Sequence, residues 1–170
     1  MTTYTALPIS PEALKELRIT DDAGRPMVAF TDDEGGAPLR CCLRRSAPGD
    51  RIALVAYAPL RRWAAETGAA PGAYDEQGPA FIHADDCAAP AHDGYPLLNA
   101  RRVLRRYSTD GRILGGQLLE DSELSDQEVD QALTDAFSDP EVALVHVRAV
   151  EYGCFFYEIR RPPTPEPVPK

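Results

Sequence analysis

The sequence predicts an α+β domain, with a mostly antiparallel or mixed β-sheet of about six to eight strands and two helices packed on it. Three observations lead to this fold class. Short apolar segments of strand-like composition follow one another with few helical stretches between them, which favours antiparallel pairing. An Asp-Gly turn at positions 110–111 separates two such segments and predicts a hairpin. Two segments, residues 11–18 and 126–137, combine a helix cap with an apolar stripe.

The length of 170 residues suits one domain, which would bury roughly 70% of the surface that its unfolded chain exposes. We expect residues 1–161 to form this domain. Residues 162–170 contain five prolines and little apolar mass, so they predict a disordered tail.

The net charge is −9, and residues 120–141 hold nine acidic side chains without any lysine or arginine. An acidic protein is poorly suited to neutralise phosphates, which argues against a nucleic-acid partner. No apolar run approaches the roughly 20 residues that span a bilayer, and the first residues lack the features of a signal peptide. We therefore expect a cytoplasmic protein with no membrane partner, in which the four cysteines stay reduced.

The first helix, residues 11–18, follows Ser10, which can cap it, and starts with a proline that suits the first helical turn. Residues 27–30 predict a short strand. Residues 39–44 have the composition of an extended segment. Residues 51–57 carry apolar side chains on both faces, which predicts a strand in the middle of the sheet.

Residues 59–78 are rich in alanine and glycine and predict a long irregular loop. Residues 79–83 predict a buried strand that runs into a second irregular stretch, residues 84–99. Residues 103–109 and 112–119 then form the hairpin predicted by the Asp-Gly turn.

Two adjacent glycines, 115–116, lie inside the second strand of that hairpin and predict a bulge or a close approach of the backbone. Ser125 and Glu128 form a capping box for the helix at residues 126–137. Residues 141–161 are the most apolar part of the chain and predict a second hairpin.

This terminal hairpin carries polar groups inside its apolar run. The period of two along a strand places His146 and Arg148 on the same face, roughly 6.6 Å apart. The position of Cys154 depends on the loop between the strands. A loop of about five residues places Cys154 opposite Arg148, on the face of His146, whereas a loop of about four places it opposite Ala149 and directs the thiol to the other layer.

The leading functional hypothesis is a small-molecule enzyme that binds an anionic substrate group. Cys41 and Cys42 point to opposite faces of an extended segment, so at most one of these thiols lines a given site. Arg40 shares the face of Cys42, and a neighbouring guanidinium lowers the pKa of a thiol and activates it as a nucleophile. The predicted catalytic residues are Cys42, Cys154, His146 and His83, and the predicted substrate-binding residues are Arg40, Arg148 and Tyr152.

Two other functions remain open. The cysteines and histidines could be core residues of a noncatalytic ligand-binding or protein-interaction domain. Alternatively the protein could bind zinc, with His83 and Cys87 as two ligands and Cys42, His146 or Cys154 completing a tetrahedral site. The enzyme hypothesis needs no cofactor.

Three blocks of the sequence combine cysteine, histidine and arginine residues in a specific order. The first block comprises residues 40–44, Arg-Cys-Cys-Leu-Arg, with Pro-Gly-Asp at 48–50. The second comprises residues 78–87, which start Gly-Pro-Ala-Phe-Ile-His-Ala and end on a cysteine. The third comprises residues 139–155, from Asp-Pro-Glu-Val through His-Val-Arg to Tyr-Gly-Cys-Phe. Taken together, these blocks resemble the DUF1203 proteins, a family of small bacterial proteins of unknown function. The resemblance extends over about residues 10 to 161.

The resemblance implies a single-domain cytoplasmic protein, and it implies no activity, since the family has none assigned. The chain differs from the family pattern in an insertion at residues 61–71 and in its proline-rich tail. The positions that match the family motif are Arg40, Cys42, His83, Cys87, His146, Arg148, Tyr152, Gly153 and Cys154.

Overall fold

A computed structural model describes residues 2–88, 90, 94–164, 167 and 169. Three helices and seven strands are assigned in these residues. No helix among them is long and apolar enough to cross a membrane. In chain order the elements are α1 (Pro11–Leu17), β1 (Phe30–Asp32), β2 (Asp50–Tyr57), α2 (Pro59–Thr67), β3 (Gly78–His83), β4 (Arg102–Ser108), β5 (Ile113–Leu119), α3 (Asp126–Phe137), β6 (Val142–Ala149) and β7 (Phe155–Arg160).

The strands form two antiparallel sheets. One has three strands in the order β1-β2-β3, and the other has four in the order β5-β4-β6-β7. The predicted α+β class with antiparallel strands is confirmed, and the number of strands lies in the predicted range. The strands divide into two sheets because β1 to β3 pair among themselves and β4 starts a second ladder.

Helix α2 replaces the first part of the predicted irregular loop. The loop prediction over residues 59–78 is therefore wrong for residues 59–67. A proline occupies the first turn of α2, and Gly68 ends the helix with a φ of 77°. Both positions are typical of helix ends. Leu60 and Trp63 lie three residues apart and are buried together, which fixes the helix on the domain.

The other two helices lie where the sequence predicts them. In α1 the Ser10 hydroxyl accepts a hydrogen bond from the Ala13 N–H. Helix α3 has the predicted boundaries, and both hydrogen bonds of its capping box, between Ser125 and Glu128, are present. The two glycines of β5 also behave as predicted, because the register of β5 against β4 shifts there, and a Cβ on Gly115 would lie 2.5 Å from the guanidinium of Arg106.

The core has two main parts, one for each sheet. The first lies between α3 and the four-stranded sheet, and the second lies between α1 and the three-stranded sheet. Phe155 at the start of β7 is buried in the second part, although β7 belongs to the four-stranded sheet. The two sheets are therefore packed together near this residue.

The terminal hairpin has the shorter of the two predicted connections at its turn. The Ala149 N–H donates to the Cys154 carbonyl at 2.8 Å, and Arg148 pairs with Phe155. The register shifts by one residue between Arg148 and Val147, so a bulge separates the turn from the rest of the hairpin. The predicted tail, residues 162–170, lies partly outside the described residues, and those described in it belong to no helix or strand.

Candidate metal centre

A tight turn after Leu39 presents two of the four cysteines. The Leu43 N–H donates to the Leu39 carbonyl at 3.0 Å, which closes a single helical turn, and Leu43 has a positive φ of 56°. The prediction of an extended segment over residues 39–44 is therefore wrong. Adjacent side chains are about 100° apart around a helical turn and about 180° apart along a strand. This difference lets Cys41 and Cys42 point into the same site.

Cys41, Cys42, His83 and Cys87 form a compact cluster. One ligand atom from each residue, a sulfur or a ring nitrogen, lies within 4.8 Å of all the others. The Nδ1 atom of His83 is 3.5 Å from Cys41 Sγ and 3.8 Å from Cys42 Sγ. The two sulfurs are 3.9 Å apart. We refer to these four residues as the Cys-His cluster.

Strand β3 contacts the turn that carries Cys41 and Cys42, and it ends at His83. The Arg40 N–H donates to the Phe81 carbonyl at 2.8 Å, which attaches the turn to the strand. The backbone N–H of His83 donates to Cys41 Sγ at 3.2 Å. Cys87 follows on the loop that leaves the strand. The cluster therefore joins two segments that are distant in sequence, and its position depends on the end of β3.

Hydrogen bonds favour a thiolate in the cluster. The Cys41 thiol donates to Cys42, which lowers the pKa of Cys42 against the opposing effect of burial, and the backbone and guanidinium of Arg44 act in the same direction as the thiol. The same hydrogen bond and burial raise the pKa of Cys41. The guanidinium beside Cys42 thus belongs to Arg44 and not, as predicted, to Arg40, which donates to main-chain carbonyls elsewhere.

A carboxylate orients the imidazole of His83. The Asp50 Oδ2 atom lies 3.4 Å from His83 Nε2, on the side of the ring opposite to the sulfurs. The same oxygen accepts a hydrogen bond of 2.8 Å from the Ala47 N–H, which holds the carboxylate in place. A proton on Nε2 leaves the lone pair of Nδ1 directed at the cysteines. This arrangement of carboxylate, imidazole and ligand atom is the usual support of a metal-bound histidine.

His146, the other predicted base, lies in the core and is not part of the cluster. Its ring is fully buried between Tyr107 and Phe155, with ring centroids 4.6 and 4.9 Å away. Neither ring nitrogen has a hydrogen-bond partner within the described chain. Burial lowers the pKa of His146 well below its usual value, and the charges of Arg148 and Arg105 add to the effect. The imidazole is therefore neutral.

Arg148 lies on the rim of a cavity of about 290 Å³. Its guanidinium donates to the Gly153 carbonyl at 2.9 Å and lies 3.2 Å from the carboxylate of Glu76. Glu76 also forms an ion pair of 2.5 Å with Arg105. The neighbouring Tyr152 is 88% exposed. The carboxylate of Glu76 therefore already neutralises part of the positive charge that the sequence predicts for substrate binding.

Arg40 and Cys154 border a second cavity of about 420 Å³, together with Arg102. Arg40 is 2% exposed, and burial lowers its pKa to about 10. The predicted site residues thus occupy three places. Cys42, His83 and Cys87 meet in the Cys-His cluster, His146 is in the core, and Arg148, Tyr152, Cys154 and Arg40 lie around the two cavities.

The sequence prediction does not include three residues of the candidate centre: Cys41, Asp50 and Arg44. An extended segment over residues 39–44 would direct Cys41 to the face opposite Cys42 and away from a shared site. Arg44 follows Cys42 by two residues, the spacing at which its N–H reaches the sulfur after a helical turn. Asp50 ends the Pro-Gly-Asp turn and starts β2, and only the pairing of β2 with β3 brings its carboxylate to His83.

The fold and the cluster define the class of protein as an α+β domain of two antiparallel sheets with three cysteines and one histidine gathered at the end of a strand. Residues 36–161 match the model of a family described as protein of unknown function, DUF1203, and the chain belongs to this family. The matched region contains all four residues of the Cys-His cluster. Neither the curated proteins nor the solved structures include a match to this chain.

Proposed function

We propose that this protein is a zinc-binding domain whose ion is held by Cys41, Cys42, His83 and Cys87. The spacing of the ligand atoms carries the proposal. In a tetrahedral site with zinc-sulfur bonds of about 2.3 Å and zinc-nitrogen bonds of about 2.0 Å, neighbouring ligand atoms are about 3.5 to 3.8 Å apart. The three separations among Cys41, Cys42 and His83 are 3.5, 3.8 and 3.9 Å.

The chemistry of the donors favours zinc over harder cations. Thiolate and imidazole ligands suit zinc, whereas calcium and magnesium prefer oxygen, and the cluster offers three sulfurs and one nitrogen. Four protein ligands complete a tetrahedron and leave no open position for a substrate. Such closed sites stabilise a fold, while catalytic zinc sites usually retain a water molecule.

The bound ion would link the turn that carries Cys41 and Cys42 to the end of β3. Without metal, this connection includes backbone hydrogen bonds, such as that from Arg40 to Phe81, and the apolar packing of Leu39 against β3. Metal binding adds its free energy to the folded state alone, because the ligands are brought together only by folding. The proposed role is therefore to hold these two segments of the domain together.

An enzyme with Cys42 as nucleophile and His83 as base is the competing function. The Cys42 sulfur is 3.8 Å from His83 Nδ1, and Asp50 stands behind the ring, so the groups of a catalytic triad are present. However, Cys42 is fully buried and Cys41 is 4% exposed, whereas a nucleophile must meet its substrate. Three sulfurs around one imidazole are also more than a triad requires. Burial and composition favour the metal site.

The test uses the full chain purified without chelators. Elemental analysis is expected to find about one zinc ion per chain in the wild type and in C154S, and much less in C87S. Cys154 is the matched control because it is also a partly buried thiol but lies outside the cluster. Cobalt exchanged into the site is expected to give intense visible absorption from tetrahedral thiolate coordination.

Thiol alkylation at neutral pH separates the two functions. A zinc ion is expected to protect Cys41, Cys42 and Cys87, and removal of the metal by a chelator should expose them to the reagent. A folded protein that contains little metal and whose Cys42 reacts faster than a free thiol would contradict the zinc proposal. That result would instead support the nucleophile.

A further inference from the structure

The structure has a second cluster of unusual side chains, which lies outside the Cys-His cluster. It surrounds the cavity of about 420 Å³, which we name the Phe156 cavity. The volume is in the range of small-molecule binding sites. The residues that matter for its chemistry are Arg40, Arg102, Phe156, Leu54, Phe81 and Cys154.

Two buried arginines stand over the same aromatic ring of this cavity. Arg40 is 2% exposed and Arg102 is 3% exposed. Their guanidinium carbons lie 4.8 and 4.5 Å from the centre of the Phe156 ring, so cation-π attraction offsets part of the cost of burying them. The two guanidinium groups nevertheless repel each other, because their charges have the same sign.

Neither arginine has a carboxylate partner in the part of the chain that the structure describes. Arg40 donates to the carbonyls of Phe155 and Pro38, and Arg102 donates to those of Leu97 and Arg101. The Nε atom of Arg102 is buried without any hydrogen-bond partner among the described residues. Buried guanidinium groups are ordinarily paired with an anion, because neutral carbonyls satisfy their hydrogen bonds but not their charge.

The remaining charges of the cavity do not neutralise the two arginines. Arg45 adds a third guanidinium, whose partners are a main-chain carbonyl and the side-chain oxygen of Asn99. Glu151 also borders the cavity, but its carboxylate is 2.6 Å from Arg101. By contrast, the smaller cavity at Arg148 contains a carboxylate that pairs with both of its arginines. The Phe156 cavity is therefore the more positive of the two.

We propose that the Phe156 cavity binds a small organic oxyanion, a carboxylate or a phosphate ester. Its charged group lies between Arg40 and Arg102, where planar guanidinium groups form paired hydrogen bonds with oxyanions. Its apolar part lies against Leu54 and Phe81, which border the same space. This inference does not depend on the zinc proposal.

Calorimetric titration of the full chain tests the inference with defined probes: benzoate, phenyl phosphate, inorganic phosphate and the neutral benzamide. At least one of the two organic anions is expected to bind, and benzamide is not. The tighter of benzoate and phenyl phosphate identifies the anionic group that the cavity prefers. Binding of benzamide as tight as that of benzoate, or binding of neither organic anion, would overturn the proposal.

The variant R102M is expected to weaken binding of the preferred anion by about ten-fold or more, because it removes a charged hydrogen-bond donor and keeps the apolar stem. R106M is the matched control, since Arg106 lies on the same strand and its guanidinium lies beside Gly115. Circular dichroism melts check that both variants fold. An affinity that is unchanged in a folded R102M protein would count against the proposal.

Cys154 provides a second readout in the wild type that needs no substitution. Its sulfur attacks the methylene carbon of iodoacetate or iodoacetamide, the carbon-iodine bond breaks, iodide leaves and the thiol proton passes to solvent. A positive cavity is expected to make anionic iodoacetate the faster reagent at Cys154, followed by peptide mapping, and benzoate or phenyl phosphate should slow it. A preference for neutral iodoacetamide at this cysteine would overturn the proposal. Loss of zinc from the other cysteines would leave this result unaffected.

Discussion

His83 and His146 have opposite surroundings in the same domain. His83 ends a strand and is partly exposed, with thiols on one side of its ring and the Asp50 carboxylate on the other. His146 lies in the middle of β6, fully buried between two aromatic rings, and neither of its nitrogens has a partner among the described residues. The difference shows that a histidine becomes a candidate ligand through the polar partners that its position on the fold provides.

The position along the strand explains the difference. At the end of β3 the chain turns away, and loops from other parts of the sequence can reach His83 with cysteines and a carboxylate. In the middle of β6 both neighbouring positions are occupied by strands, where Arg105 and Glu158 pair with His146. Their backbones complete the ladder, but their side chains donate nothing to the ring.

Replacing His83, the candidate ligand, is expected to have the largest effect on stability. H83A is expected to lose zinc and to lower the free energy of unfolding by about 3 kcal/mol or more, because a structural ion stabilises only the folded state. Urea denaturation with and without a chelator measures this. The chelator should destabilise wild type and H146F alike and should have little further effect on H83A. Full zinc content in H83A would contradict the assignment of His83 as a ligand.

Weakening the support of His83 should have an intermediate effect. D50N is expected to reduce zinc affinity by about 10-fold to 100-fold while the fold is kept, because the carboxylate no longer stabilises the proton on Nε2. Competition with a coloured chelator measures the affinity. D86N removes the same charge from a residue that pairs with Arg18 and is the control. Equal affinities in D50N and D86N would show that Asp50 does not support the ligand.

Replacing the core histidine tests the other side of the comparison. The folded protein holds His146 neutral with a pKa well below its usual value, whereas the unfolded chain titrates near pH 6.5. The unfolded state therefore binds more protons as the pH falls below about 6.5, and stability is lost by up to about 1.4 kcal/mol per pH unit. H146F removes this loss. The free energy of unfolding of H146F minus that of wild type is therefore expected to be larger at pH 5 than at pH 7.5. The variant thus gains stability relative to wild type as the pH falls.

Denaturation of H146F and wild type at the two pH values measures the difference, and comparing the variants cancels groups that titrate in both. A difference that does not change with pH would mean that His146 has an ordinary pKa in the folded protein.

Glu158 pairs with His146 across the two strands. Its contribution to stability should depend on pH less strongly than that of His146 and with the opposite sign. Burial raises the pKa of Glu158, although Arg160 partly offsets this. The folded state therefore holds the proton of Glu158 more tightly than the unfolded state does. The resulting stability is fully present below the pKa that Glu158 has in the unfolded chain, and it is lost as the pH rises through the pKa that Glu158 has in the folded protein. E158Q is expected to be more stable than wild type at pH 7 and equal to it at pH 4 in thermal melts. Lower stability of E158Q at pH 7 would contradict this prediction.

The sequence predicted those parts of the fold that local signals determine. The boundaries of α3 follow from its capping box and from the proline after it, and the Asp-Gly turn located the first hairpin. Helix α2 escaped prediction because the residue before it, Ala58, provides no side-chain cap. The division into two sheets depends on pairing between distant strands, for which the sequence contains no local signal.

The sequence predicts only part of the candidate site, because contacts between distant segments again have no local signal. His83, Cys87 and Cys42 were named as possible ligands, and they do meet. His146 was grouped with them because period two specifies which residues share a face, but not which layer that face packs against. The sequence does not predict Cys41 as a ligand, because the helical turn after Leu39 ends at Leu43 with a positive φ, a conformation that leucine rarely adopts.

The distance along the chain between the two halves of the Cys-His cluster has a consequence for folding kinetics. The segment between Cys42 and His83 contains β2, α2 and most of β3, so its ends approach each other only after a long loop has closed. Capture of an ion would therefore follow the rate-limiting step. On a chevron plot, zinc is expected to lower the unfolding rate and to leave the refolding rate almost unchanged.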